Sequence, residues 1–129
     1  MARILIVDDE EMDRVLIRSL LETAGHHLLF AADGKAAFDL CHKTDVDLVI
    51  TDLAMPELNG LRFIKELRER HFDMPIIAMS GWAADQLDLA ENYGANFTLF
   101  KPIDGEKLLE SVRKSLAKKR PPPPSWIPV

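Results

Sequence analysis

The residues of this chain that could do chemistry stand where apolar runs end. Asp52 comes directly after an apolar run at residues 47–51, and the motif VITDLAMPELNG then breaks into a loop. The pair Asp8 and Asp9 follows the run at residues 3–7 in the same way. A carboxylate at the exit of a buried strand costs free energy unless a ligand or a cation needs it there. These acids therefore indicate a functional site.

Two other apolar runs also end in reactive groups, a hydroxyl and an ammonium. Ser80 follows the fourth run and Lys101 follows the fifth. A single Asp or Ser at such a position is also typical of a helix N-cap. Lys101 cannot be explained as a cap, however, and a cap needs one acid rather than an adjacent pair. We therefore interpret these residues as parts of one site.

The chemistry of this set follows from its charge. Two carboxylates about 4 Å apart repel each other by roughly 4 kcal/mol at an effective dielectric constant near 20. A site with three converging acids must therefore spread them apart, protonate one of them or bind a cation. Oxygen ligands of this kind suit Mg²⁺, with Mn²⁺ as the alternative. An Asp nucleophile, a divalent ion, an ammonium and a hydroxyl together favour phosphoryl transfer.

The elements that must position these groups alternate along the chain. Short apolar runs predict strands at residues 3–7, 27–31, 47–51, 75–79 and 97–100. Amphipathic stretches lie between them; the first has Val15, Leu16, Leu20 and Leu21 at helical spacing and ends near Gly25. We predict a doubly wound α/β fold of the flavodoxin-like type, with five parallel strands, five helices and a site at the carboxyl edge of the sheet.

Composition limits the class of protein. With 129 residues we expect one domain at residues 1–119, followed by the proline-rich segment RPPPPSWIPV at residues 120–129, a linker remnant or a docking peptide. The net charge of -5 and the mixed acids and bases disfavour a nucleic-acid partner. The single cysteine, Cys41, allows no disulfide framework, and no apolar segment suits a membrane span or signal peptide. We expect a cytoplasmic protein with no membrane partner.

The motifs together resemble a known family, the response-regulator receiver domain, also called CheY-like. The resemblance is carried by ILIVDDE, VITDLAMPELNG, MSG and FKP, in that order, over about residues 2–118. It implies that Asp52 accepts a phosphoryl group from a phosphohistidine on a sensor histidine kinase or a histidine phosphotransfer protein. It also implies a signalling module that catalyses only its own phosphorylation and dephosphorylation.

The resemblance also assigns roles to individual residues. Mg²⁺ would be held by Asp8, Asp9, Asp52 and the backbone carbonyl of Ala54. Ser80 would hydrogen-bond to the phosphorylated form.

Lys101 would pair with the phosphoryl oxygens, and the bond from Lys101 to Pro102 would be cis. The target protein would bind the face formed by helix 4, strand 5 and helix 5, at about residues 84–119. The sequence departs from the family at Thr98, where an aromatic switch residue is usual. Ala54 and Trp82 occupy the positions that tune phosphoryl lifetime.

Two other classes share parts of this pattern. A haloacid-dehalogenase-type phosphatase also uses an Asp nucleophile and Mg²⁺, but it has a second Asp where this chain has Ala54. A flavodoxin-type cofactor carrier needs a phosphate-binding loop after the first strand, where Asp8 and Asp9 would repel the phosphate. A receiver fragment of a longer regulator remains a further alternative.

Overall fold

A computed structural model describes residues 2–54, 59–81 and 84–117. The strands are β1 (Arg3–Val7), β2 (His27–Ala31), β3 (Leu48–Asp52), β4 (Ile76–Ser80) and β5 (Phe97–Phe100). The helices are α1 (Glu11–Glu22), α2 (Gly34–Lys43), α3 (Gly60–Glu69), α4 (Ala84–Tyr93) and α5 (Gly105–Ala117). Trp82 and the proline-rich segment lie outside the described residues. Within the described residues, no helix has the length and apolarity needed to cross a membrane.

All neighbouring strands pair in parallel, in the order β2-β1-β3-β4-β5. This order confirms the predicted doubly wound fold. The chain winds in one direction from β1 to β2 and in the other from β3 to β5. The crevice between the carboxyl ends of β1 and β3 is therefore the point where such sheets bind ligands.

The sheet is buried on both faces, which explains why its central strands read as continuous apolar runs. Leu5 and Val49 face the layer formed by α2, α3 and α4, whereas Ile6 and Ile50 face α1 and α5. Alternate residues of each strand thus enter two separate apolar cores. The carboxyl edge between the two cores is the part of the sheet left for polar groups.

Two predicted strands, at residues 47–51 and 75–79, were wrong by one residue at each end. β3 and β4 end at Asp52 and Ser80, so both predicted site residues belong to the strands and are buried. The predicted apolar face of α1 was also partly wrong. Ile17 and Leu21 are buried, whereas Val15 and Leu16 are exposed.

Gly60, the first residue of α3, fits closely against the backbone of the β3 exit. A Cβ atom at this position would collide with the Asp52 carbonyl oxygen and lie 2.7 Å from the Leu53 Cα atom. The Gly60 amide donates a hydrogen bond to the Leu53 carbonyl oxygen at 3.1 Å. The glycine at position 60 therefore allows the start of α3 to lie directly against the backbone of Asp52 and Leu53.

We expect Gly60→Ala to lower the free energy of unfolding by about 1–3 kcal/mol, because the added methyl group meets backbone atoms that cannot rotate away. Gly105→Ala is the matched control, since Gly105 also begins a helix but a Cβ there would meet only the Leu20 side chain, at 3.3 Å. Chemical denaturation of both variants measures the difference. Equal losses of stability would contradict this role of Gly60.

Candidate functional site

Four strand ends bring the predicted site residues to one edge of the sheet. Asp8 follows β1, Asp52 and Ser80 end β3 and β4, and Lys101 follows β5. Asp8, Asp52 and Ser80 are buried although they are polar. The interior therefore holds these groups only because they have partners there.

Three carboxylates form a group that could hold a metal ion. Asp8, Asp9 and Asp52 each offer one ligand oxygen, and the three oxygens lie within 4.8 Å of one another. Asp9 is exposed, whereas the other two are buried, so the group opens to solvent on the Asp9 side. A set of carboxylate oxygens with access to water fits Mg²⁺, which keeps several water ligands.

Lys101 is the cation that already neutralises part of this charge. Its Nζ atom donates hydrogen bonds to Asp8 Oδ2 at 3.1 Å and to Asp52 Oδ2 at 3.1 Å. A third and shorter hydrogen bond, of 2.6 Å, goes to Asp13 Oδ2. The ammonium is thus bound by three acids, one after the end of β1, one in α1 and one at the end of β3.

Asp13 is the site residue that sequence reasoning missed. It lies in the first turn of α1, where acidic residues commonly stabilise the helix dipole, so its type alone signals nothing more. Its position five residues after Asp8 carries no motif. Only the packing of α1 beside the β5 exit shows that Asp13 contacts Lys101.

The Asp8 carboxyl and its backbone are fixed from two directions. Its Oδ1 accepts a hydrogen bond from the Glu10 amide at 2.9 Å, and its carbonyl oxygen accepts one from Arg14 Nη1 at 2.7 Å. Burial raises the pKa of Asp8 to about 6, although the Glu10 hydrogen bond and the Lys101 ammonium lower it. The Asp52 charge contributes a smaller part of the same rise. Burial thus outweighs the opposing cation.

The balance at Lys101 is the reverse. Burial lowers the pKa of Lys101, but the hydrogen bonds and charges of Asp13, Asp52 and Asp8 outweigh it, so its pKa lies above the usual value. Lys101 is therefore a permanent ammonium in this site.

The remaining predicted residues flank these charged groups. The Ala54 amide donates to Asp52 Oδ1 at 3.3 Å, and the Ser80 carbonyl oxygen accepts a hydrogen bond from the Lys101 amide at 2.9 Å. The Lys101–Pro102 bond is cis, as the resemblance implied. Thr98 Oγ1 donates to Glu91 Oε1 on α4 at 3.4 Å. The departure at Thr98 thus replaces an aromatic ring with a polar link to α4.

Comparison with known families matches residues 4–113 to the response regulator receiver domain. The chain belongs to this family. Receiver domains are signalling modules of two-component response regulators, not classical enzymes, and they interact with histidine kinases or phosphotransfer partners. This membership favours the receiver prediction over the phosphatase and flavodoxin alternatives.

Curated relatives and solved structures agree with this assignment. The chain is 34% identical over 115 residues to the sensory/regulatory protein RpfC of Xanthomonas campestris, covering 85% of this chain and 16% of the relative. It is 35% identical over 118 residues to the transcriptional regulatory protein CpxR of Escherichia coli, covering 90% and 50%. The chain thus spans half or less of the length of these two relatives. Chemotaxis protein CheY4 of Vibrio cholerae superimposes with a TM-score of 0.82 at 30% identity, covering 90% of this chain and 99% of that one.

The raised pKa of Asp8 predicts a pH dependence of stability in EDTA. Between about pH 4 and pH 6, Asp8 keeps its proton in the native state but has lost it in the unfolded chain. The contribution of Asp8 to the free energy of unfolding therefore falls as the pH rises through 6. From pH 4 to pH 7.5, wild type should lose about 2 kcal/mol relative to Asp8→Asn.

Urea denaturation at several pH values measures this difference, with the exposed Asp39→Asn as the control for loss of one carboxylate. The charged groups facing Asp8 are Asp9, Asp13, Asp52 and Lys101, and they are unchanged in both variants. A difference between wild type and Asp8→Asn that stays constant with pH would contradict the prediction.

Proposed function

We propose that this chain is a phosphoacceptor receiver in which Asp52 takes a phosphoryl group from a partner phosphohistidine. The observation that carries the proposal is the position of Asp52. It is a buried carboxylate with one oxygen 3.1 Å from the Lys101 ammonium, in a group of acids able to hold a cation. A nucleophile, a cation site and a fixed ammonium at one point are what in-line phosphoryl transfer needs.

The reaction is a transfer between two nucleophiles. An Asp52 oxygen forms the new O–P bond as the P–N bond to the partner histidine breaks, and the histidine nitrogen keeps the electron pair of that bond. The Asp52 carboxylate is already oriented, because Oδ1 accepts a hydrogen bond from the Ala54 amide and Oδ2 accepts one from the Lys101 ammonium. Lys101 then stabilises the charge on the transferred group.

The acids of the site would supply the metal ligands. Asp8, Asp9 and Asp52 would hold Mg²⁺, with the Ala54 carbonyl as the further ligand that the family resemblance implies. The ion would supply positive charge to the oxygens of the transferred group. Asp9, the exposed member, lies on the open side of the group. The same ligands would accept Mn²⁺.

Phosphorylation would switch a protein-binding face formed by α4, β5 and α5. Ser80 lies next to this face, since it is opposite Phe100 of β5 in the sheet register. Phe100 is exposed, which gives this face an apolar contact for a target protein. The polar link from Thr98 to Glu91 joins β5 to α4 within the same face.

A second exposed apolar group lies on α1. It consists of Met12, Val15 and Leu16, which lie on both sides of Asp13, the partner of Lys101, along the helix. A phosphohistidine protein docked on this helix would stand beside the site. We propose that the phosphodonor binds here, in the cytoplasm, and that the target binds the other face.

The chemical prediction is that acetyl phosphate with Mg²⁺ adds one phosphoryl group to the chain. Intact-protein mass spectrometry should show the adduct, and hydroxylamine should remove it, because it is an acyl phosphate. Asp52→Asn should remain unmodified, whereas the exposed Asp88→Asn should behave like wild type. A label that maps to Ser80 would contradict the mechanism.

The docking prediction separates protein donors from small donors. Val15→Asp should slow phosphotransfer from a cognate phosphohistidine protein by about tenfold or more, because it places a charge in an apolar contact. Acetyl phosphate should modify this variant at the wild-type rate. Leu89→Asp is the matched control, since it makes the same change on α4. Equal slowing by both variants would contradict a donor surface on α1.

A further inference from the structure

Lys101 has one partner that does not belong to the metal-binding group. Asp8 and Asp52 are common to both sets, but Asp13 is not among the three acids whose oxygens converge. Yet Asp13 makes the shortest of the three contacts with the ammonium, at 2.6 Å. The side chains of Lys101 and Asp13 are 13% and 20% exposed, so solvent screens this pair only in part.

The number of donors on the ammonium makes this third contact important. A lysine ammonium has three hydrogens, and in this structure each has a carboxylate acceptor. In the proposed function, Asp8 and Asp52 bind a metal cation, and Asp52 also carries the transferred group. Lys101 would then lose one or both of these partners. The contact with Asp13 does not involve the metal-binding acids and can persist.

A persistent anchor matters because lysine is flexible. Its four-carbon stem carries about 2 kcal/mol of rotamer entropy, so an ammonium without a fixed partner is poorly placed for a hydrogen bond. Bound to Asp13, the ammonium lies 3.1 Å from Asp52 Oδ2 and so stays within reach of a group attached there. Two of its hydrogens remain free for that group.

We propose that Asp13 is a positioning residue, which anchors Lys101 beside Asp52 while Asp8 and Asp52 exchange their partners. The proposal rests on the function proposed above. It gives a role to an acid on α1 that acts through Lys101 and contacts neither the metal nor the phosphoryl group. It also joins the first turn of α1 to the β5 exit.

Net charge and positioning predict opposite effects for Asp13→Asn. The substitution removes a negative charge near the site, which by itself would favour binding of an anion. If Asp13 anchors Lys101, the same substitution instead weakens anion binding, because the ammonium is no longer held in place. The sign of the change therefore decides between the two explanations.

The experiment measures the affinity of the full chain for beryllofluoride, a phosphoryl mimic, by ¹⁹F NMR in saturating Mg²⁺. We expect Asp13→Asn to weaken the affinity by at least about threefold, within the range of coupling between groups in contact. Glu11→Gln is the matched control, since it removes a carboxylate from the exposed face of the same helix turn. It should not weaken the affinity. Asp13→Glu should restore part of it.

A second background tests whether the effect passes through Lys101. In Lys101→Ala, the change from Asp13 to Asn should no longer weaken beryllofluoride binding, because there is no ammonium to anchor. Thermal melting in EDTA checks that each variant is folded. If Asp13→Asn does not fold, ¹⁵N NMR of wild type provides the test: the Lys101 ammonium protons should stay in slow exchange after Mg²⁺ and beryllofluoride are added, and rapid exchange overturns the proposal.

The other possible results of the beryllofluoride experiment distinguish failure of the anchoring role from failure of the proposed function. Unchanged or tighter beryllofluoride binding by Asp13→Asn overturns the anchoring role and leaves the proposed function intact. Weakening that persists in the Lys101→Ala background also overturns it, because the effect does not then require the ammonium. A wild type that binds no beryllofluoride in Mg²⁺ overturns the proposed function itself.

Discussion

The site depends on one interaction, the hydrogen-bonded pairing of the Lys101 ammonium with carboxylates from three elements. Asp8 and Asp52 are buried at the carboxyl edge of an apolar sheet, where ionised groups are poorly solvated. Without a cation, their mutual repulsion would cost several kcal/mol, a large fraction of the stability of about 5–15 kcal/mol typical of a domain. The Lys101 ammonium reduces the repulsion between these carboxylates in the protein without a bound metal ion. It also leaves the cluster acidic, because three carboxylates share a single positive charge.

The rest of the fold holds this pairing in place. The parallel sheet aligns the ends of β1, β3, β4 and β5, and the reversal of winding between β1 and β3 opens the crevice. Backbone contacts then fix each group. Arg14 donates a hydrogen bond to the Asp8 carbonyl oxygen, Gly60 lets the start of α3 lie against the Asp52 backbone, and the Lys101 amide donates to the Ser80 carbonyl oxygen. These supports lie on different elements, so the geometry of the charged groups is a property of the whole domain.

The same arrangement explains how a local charge change could reach a surface. Asp13 ties the site to α1, and the backbone bond between Lys101 and Ser80 ties it to β4 and β5. Thr98, on β5, is in turn bound to Glu91 on α4. In this chain the link from β5 to α4 is a hydrogen bond near the long end of the allowed range, which is weak and can break at little cost. In the proposed function, a change of state at Asp52 would thus have short routes to α1 and to α4.

The sequence by itself determined the fold class and which charged residues lie together in the candidate site. Continuous apolar runs, helical spacing and acids at strand exits are local patterns that can be read from the sequence. Because parallel strands end at the same edge of a sheet, these patterns predict that Asp8, Asp9, Asp52 and Lys101 lie close together. Two features were decided by tertiary structure alone. The apolar face of α1 was misjudged at Val15 and Leu16, because helical spacing does not show which of two overlapping stripes the sheet covers. Asp13 was missed because its contact with Lys101 joins residues 88 positions apart, and nothing local distinguishes it from an ordinary acid in a first helical turn.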